Sequence, residues 1–154
     1  VIGVDPRLDQ APPGVAELVR PGDLASALPQ GDFVIVTVPE TPETQGLFAA
    51  TQFKAMKNTA FFINIGRGAT VKLDDLVDAL RAGEIAGAGL DVFQTEPLPA
   101  GHALWSIPGV LITPHVAGDG PYLQERRTDL FIDNCVRFNE GRPLRNVVDK
   151  ANWF

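Results

Sequence analysis

Cysteine is nearly absent from this chain: Cys135 is the single one among 154 residues. An internal disulfide is therefore excluded, and a reducing compartment, the cytoplasm, is the expected location. Long hydrophobic runs are missing as well. No apolar stretch approaches the roughly 18 residues of a bilayer-crossing helix, so no membrane span is expected, and no secretory signal pattern is read. Basic charge is in short supply: 13 Lys and Arg against 19 Asp and Glu leave a net charge of −6, with a pI near 4.8. With no basic run to offset it, a nucleic-acid partner is not expected. Histidine is scarce, with His102 and His115 as the only two, and no metal site is read. Internal repeats and low-complexity segments are absent too.

What is present is a globular composition, 45% hydrophobic and 21% charged. The length suits one domain with a real core and is too short for two ordinary ones. Strand-like runs alternate with helical patterns along it. Val1–Asp5 is a β-branched run ending in an acid before Pro6, either an edge strand with an Asp-Pro turn or a strand-end carboxylate that grips a ribose. A short strand is expected within Gly14–Val19, and Asp23 is placed to cap a short helix through Leu28. Asp32–Val38 is nearly continuously apolar, as strands covered on both faces are. The polar loop Pro39–Thr44 and a helix around Thr51–Met56 follow.

The stretch Phe61–Gly68 is the centre of the chain: an apolar run halted by Gly66-Arg67-Gly68. It reads as a buried strand feeding a tight turn, with glycines that permit unusual backbone angles or close ligand approach. Leu73, Leu76, Val77 and Leu80 then mark an amphipathic helix that Gly83 can end. Ile85–Val92 is a further strand with small residues for a close neighbour. Val110–Thr113 is the last, halted by Pro114-His115. A helix is expected over 119–140, with Phe131, Cys135 and Phe138 on one face and Leu130 beside it. The tail Arg142–Asp149 has some strand character. This alternation predicts βαβ units and a mostly parallel sheet, whose right-handed crossovers gather the strands' carboxyl ends on one edge.

Arg67, Glu96 and His115 would then arrive at that edge from three different strands. The chemistry they suit is hydride transfer on a small oxo acid. Arg67 offers a planar fork that binds a carboxylate bidentately and polarises an adjacent carbonyl. His115 can donate and take up a proton near neutral pH. Glu96, hydrogen-bonded to the far ring nitrogen, would fix its tautomer and favour the imidazolium. Asp91 would accept from a carboxamide or a backbone group. Each also has an ordinary reading as a turn or loop residue, and His102 is read as surface.

At this point the chain resembles one family, the D-isomer-specific 2-hydroxyacid dehydrogenases. The resemblance rests on four ordered blocks: Gly31–Val34 through Pro39–Leu47, Asn64–Gly68, Gly87–Leu98 and Thr113–Gly118. It implies an α/β, Rossmann-type doubly wound parallel sheet and an enzyme that interconverts a small 2-oxo acid and its D-2-hydroxy acid with NAD. Arg67, Glu96 and His115 would be catalytic. Val38, Pro39 and Thr44 would lie beside the adenosine, and Asp5 would hold its ribose. Ile65, Gly66, Arg67, Asp91, His115 and Gly118 would seat the nicotinamide end. The acid at Asp5 favours NAD over NADP, although Arg7 leaves that choice open. A homodimer is implied as well.

The chain departs from the family in one large respect. It contains no Gly-x-Gly-x-x-Gly loop, a fingerprint that should precede Asp5 by about 20 residues. Val1 opens inside a strand pattern, so the chain is expected to be the C-terminal portion of a longer protein. Residues 1–118 would be a partial NAD-binding domain without its first strand. Residues 119–154 would be a helix and tail returning toward an absent substrate domain. With an unfilled gap between the Val1–Asp5 and Asp32–Val38 strands, the segment alone is expected to be poorly stable and to bind NAD weakly or not at all. Two rival readings stay open: an NAD(H)-responsive binding protein of corepressor type, and an inactive truncated product.

Overall fold

In the computed structural model, which describes residues 1–151, the opening run Ile2–Val4 (β1) pairs in parallel with Glu17–Val19 (β2). This pair does not join the main sheet, in keeping with the gap expected beside it. Leu24–Ala27 (α1) follows. Asp23 precedes it but makes no side-chain cap, contrary to the sequence reading. Pro21–Asp23 forms a tight 3-10 turn that runs into the helix, so the first amides already have backbone partners at Arg20 and Pro21.

The main sheet consists of Phe33–Val36 (β3), Phe61–Asn64 (β4), Gly87–Leu90 (β5) and Val110–Ile112 (β6), in that order and all parallel. Ala50–Ala55 (α2) links β3 to β4, and Leu73–Ala82 (α3) links β4 to β5. The core lies on one face. Val36, Phe62, Ala88 and Leu90 point into it, and Phe62 meets Phe48 at 5.0 Å and Phe53 edge-on at 5.2 Å. Leu76 and Val77 of α3 close it from outside. Gly83 ends α3 in the left-handed region, φ 68°, with its amide returned to the last turn.

The opposite face does not match the sequence expectation. Residues alternate across a strand, so Phe33, Ile35, Phe61 and Leu111 share the second face; they are 64%, 57%, 40% and 68% exposed. Apolarity on both sides of β3 was read as cover on both sides. In this unit one side is bare.

Contact density divides the chain into two units, Val1–Pro114 and a second beginning at His115. The second is built on Leu123–Asn139 (α4), none of whose side chains is buried. Phe131 and Phe138 of the predicted apolar face are exposed, as is Cys135. The tail forms no strand. Its backbone is held instead by Asn134, whose amide donates to the Arg145 carbonyl at 3.0 Å and accepts from its N–H at 2.8 Å. Residues 152–154 of the predicted tail lie outside the described residues.

Candidate functional site

Because β3 to β6 are parallel, the residues that follow them share one sheet edge: Thr37–Pro39, Ile65–Gly68, Asp91–Phe93 and Thr113–Pro114. Ligands of open α/β sheets bind outside that edge. Asp5 ends β1, in the separate pair, so it is not part of this row.

The Arg67 turn is built from beneath. Asn64, 1% exposed at the end of β4, accepts from the Gly66 N–H at 3.0 Å and donates to the Arg67 carbonyl at 3.1 Å and to Thr70 Oγ1 at 3.3 Å. Thr70, fully buried, donates its hydroxyl to the same carbonyl at 2.7 Å. The unusual backbone angles expected of the glycines are not what they supply. Neither adopts a positive φ; a Cβ on Gly66 would stand 2.8 Å from the Val38 carbonyl oxygen, and one on Gly68 only 1.9 Å from the Phe93 carbonyl carbon. What comes close is the chain's own backbone, from the loops after β3 and β5. The turn is wedged between them.

Arg67 itself is exposed, and its Nη1 donates to the Gly66 carbonyl at 2.7 Å. Glu96 is exposed too; its Oε1 accepts from the Phe93 N–H at 2.8 Å, and the Glu96–Pro97 peptide is cis. Gly68 packs against the Phe93–Gln94 peptide, so the segment bearing Arg67 and the loop bearing Glu96 are fixed to one another. Asp91 is 3% exposed; its Oδ1 accepts from the Thr113 hydroxyl at 2.5 Å and its N–H donates to the Asn64 carbonyl at 3.0 Å.

On the β3 side, Val38 is half-buried and Pro39 exposed. Thr44 closes their loop, donating to the Pro39 carbonyl at 2.7 Å and accepting from the Thr41 N–H at 2.8 Å. Ile65 is an exposed apolar side chain, 43% accessible, at the edge itself. Asp5 accepts from the Arg7 N–H at 2.8 Å and faces its guanidinium at 3.4 Å. These bonds, the backbone one foremost, hold its carboxyl below the usual carboxylate range. His115 and Gly118 belong to the second unit. His115 is exposed and has left-handed backbone, φ 56°, and Gly118 borders open space. His102, read as a surface residue, is half-buried, and its Nδ1 accepts from the Leu104 N–H at 3.3 Å to cap a short turn. An open depression of about 390 Å³ beside it, lined by Lys72, Gln94 and Thr95 among others, contains none of the predicted site residues.

Three residues of this edge escaped the sequence reading: Asn64, Thr70 and Thr113. A polar residue closing an apolar strand run was the available signal for Asn64, since a buried amide must find partners. Thr113 opened a family-like block without a role assigned to it, and nothing local marked Thr70.

A parallel sheet that gathers an arginine turn, a buried aspartate and an exposed apolar side chain at its carboxyl edge is a Rossmann-type nucleotide-binding domain. Residues 1–117 match the family model described as D-isomer specific 2-hydroxyacid dehydrogenase, NAD binding domain. The chain belongs to that family. It is 41% identical over 127 residues to glyoxylate/hydroxypyruvate reductase B of Citrobacter koseri, covering 82% of this chain and 39% of the relative. Against the human glyoxylate reductase/hydroxypyruvate reductase the identity is 39% over 142 residues, covering 92% and 42%. The D-isomer specific 2-hydroxyacid dehydrogenase of Xanthobacter autotrophicus Py2, solved with NADPH and MES, superposes with a TM-score of 0.88 at 36% identity, covering 99% of this chain and 62% of that one. The chain thus spans about two fifths of the length of these curated relatives. Among the described residues no helix is long and apolar enough to cross a membrane.

Proposed function

We propose that the protein takes part in hydride transfer between a nicotinamide dinucleotide and a small 2-oxo or D-2-hydroxy acid, glyoxylate or hydroxypyruvate by analogy with the reductases it resembles. The observation that carries this reading is the Arg67 turn, wedged by backbone on both sides at the sheet's carboxyl edge, with its guanidinium exposed. A planar fork held there suits a carboxylate and an adjacent carbonyl oxygen. As the oxo group is reduced, negative charge grows on that oxygen, and Arg67 stabilises it. His115 is the proton donor to the same oxygen, and the acceptor in the reverse direction. Its left-handed backbone is an outlier of the kind that accompanies function. The family resemblance assigns Glu96 the role of the carboxylate that favours the His115 imidazolium.

The residues fit the two ends of the cofactor. Asp5, ionised at neutral pH, suits a ribose hydroxyl. Val38, Pro39 and Thr44 would flank the adenosine. Ile65 offers an apolar contact for a nicotinamide ring, with Gly66 and Asp91 on the same sheet edge, and the family resemblance adds Gly118 to that end. The bound dinucleotide supplies the hydride; orientation, charge stabilisation and proton transfer are the chain's part. The acid at Asp5 favours NAD, and Arg7 beside it leaves NADP open. The single cysteine and the acidic composition support the cytoplasm as the location and argue against a nucleic-acid partner. A homodimer is the assembly that the family resemblance supports.

The test is turnover of glyoxylate and hydroxypyruvate with NADH and NADPH, by the protein expressed from its complete reading frame. Arg67→Gln is expected to raise KM and lower kcat/KM. His115→Gln is expected to lower kcat by about 10²–10⁴-fold and to flatten its pH profile. No turnover with either acid and either coenzyme would sink the proposal.

A further inference from the structure

We infer that Asn64 and Thr70 are positioning residues that set the direction in which Arg67 leaves the sheet edge, an inference that rests on the function proposed above. The Arg67 carbonyl receives three donors: Thr70 Oγ1 at 2.7 Å, Asn64 Nδ2 at 3.1 Å and the Thr70 N–H at 3.2 Å. On the other side of the arginine, the Gly66 N–H is bound by Asn64 Oδ1 at 3.0 Å. One buried amide therefore grips the main chain immediately before and immediately after the residue that meets the substrate.

The choice of side chains follows from the donor and acceptor count. Asn64 must accept at one end and donate at the other, which an amide does and a carboxylate or an aliphatic chain does not. Its orientation is fixed as well. The flipped amide would set oxygen against the Arg67 carbonyl and nitrogen against the Gly66 N–H. Thr70 accepts from Asn64 Nδ2 at 3.3 Å while donating to Arg67, so each side chain holds the other in place. At 1% and 0% exposed, neither can reach a ligand. They act through Arg67 or not at all.

Holding the Arg67 carbonyl fixes the Arg67–Gly68 peptide plane, and holding the Gly66 N–H fixes the Ile65–Gly66 plane, so the Gly66–Arg67 step is anchored at both ends. Between these anchors Arg67 is extended, φ −141° and ψ 144°, and its side chain is exposed. Displacing a substrate-positioning group by about 1 Å costs on the order of 10²-fold in rate. Loosening one of the two planes should cost part of that.

Thr70→Val is the decisive variant, because it removes the hydroxyl and keeps the shape. In the protein expressed from its complete reading frame, we expect kcat/KM for the oxo acid to fall about tenfold or more. Thr70→Ser should recover to within about twofold, and coenzyme affinity should stay within about twofold of wild type. Placed on Arg67→Gln, Thr70→Val should cause no further loss, since its effect runs through the arginine. Three results would overturn the inference: unchanged kcat/KM in Thr70→Val, additive losses in the double variant, or a parallel fall in coenzyme affinity that marks general damage. Should wild type show no turnover, the proposed function fails by itself. Amide hydrogen exchange over residues 66–70 then judges the clamp, with faster exchange in Thr70→Val supporting it and equal exchange refuting it.

Discussion

Adding one methyl group at Gly68 should do more harm than any other alanine substitution of a glycine in this chain. Its Cβ would stand 1.9 Å from the Phe93 carbonyl carbon, 2.2 Å from that carbonyl oxygen and 2.3 Å from the Gln94 nitrogen. To reach an ordinary 3.4 Å, one backbone segment must retreat by about 1.5 Å. Neither is free to do so. Phe93 is buried, and its N–H is bound to the Glu96 carboxylate; the Arg67 side is held by Asn64 and Thr70. Overpacking costs about 1–3 kcal/mol where side chains can give, and here backbone must. Breaking the Phe93–Glu96 bond adds about 1.5–3 kcal/mol for a charged acceptor. Gly68→Ala is therefore expected to lose about 3–5 kcal/mol, a large part of the stability of an ordinary domain.

The control is Gly89→Ala on β5. Its added methyl meets only Ile63, at 3.7 and 3.8 Å, which is normal packing. Relieving glycine's entropic cost in a strand should leave this variant equal to wild type or more stable by about 0.5–1 kcal/mol. Urea unfolding followed by far-UV circular dichroism reads both. With a slope of about 1.5 kcal/mol/M, Gly68→Ala should bring the midpoint down by about 2 M or leave no folded baseline. A Gly68→Ala midpoint within about 0.5 M of wild type would mean that the two loops are not in backbone contact.

Other contacts of the chain carry expectations of the same kind. Thr113→Val removes the half-buried hydroxyl that Asp91, itself 3% exposed, binds at 2.5 Å, and should cost about 1–3 kcal/mol by urea unfolding; a loss below about 0.5 kcal/mol would rule out that bond as a support. On the sheet, Ile35→Thr should change the stability of the 154-residue chain by less than about 0.5 kcal/mol, since Ile35 is 57% exposed. Phe62→Ala, at 0% exposed on the other face, should cost about 3–5 kcal/mol, and equal effects would contradict the one-sided core. Asp5 is held below its usual range by Arg7, so its contribution to stability is present above the ordinary carboxylate range and lost as pH falls through the lowered value. Arg7→Ala should accordingly move the Asp5 titration, followed by carboxyl NMR, upward, and Asp5→Ser should shift the kcat/KM ratio of the full-length protein toward NADPH.

The sheet was legible because its strands are short apolar runs separated by amphipathic helix patterns, and that alternation is a local property. The family and its fold were legible from blocks such as Asn64–Gly68 and Gly87–Leu98. Cover was not. Phe33 and Ile35 read as buried because they are apolar, yet hydrophobicity records what a side chain prefers and not whether anything lies above it. The Asp23 cap failed for a different reason: a proline-led turn satisfied the helix's first amides before a carboxylate was needed. Strand character in the tail was overridden by one amide, Asn134, that no local pattern connects to Arg145. The glycines of the Arg67 turn were placed correctly, but not for the unusual backbone angles expected of them. Sequence shows that a side chain is missing, while the group that fills its space comes from loops some 30 residues away on either side.

That last point bears on how substitutions in this domain should separate. Arg67 and Glu96 are exposed, and Asn64, Gly66, Gly68, Thr70 and Asp91 beneath them are buried. An exposed charged group adds little to folding, so Arg67→Gln can lower turnover with stability nearly intact. Removing a buried amide leaves the groups it bound unsatisfied, so changes at Asn64 should lower stability as well. Thr70→Val lies between the two. It deletes one hydroxyl but keeps the volume, and the Arg67 carbonyl retains two of its three donors. Its stability cost should therefore be near 1 kcal/mol, small enough to leave a folded protein in which the aim of Arg67, rather than its presence, is what has changed.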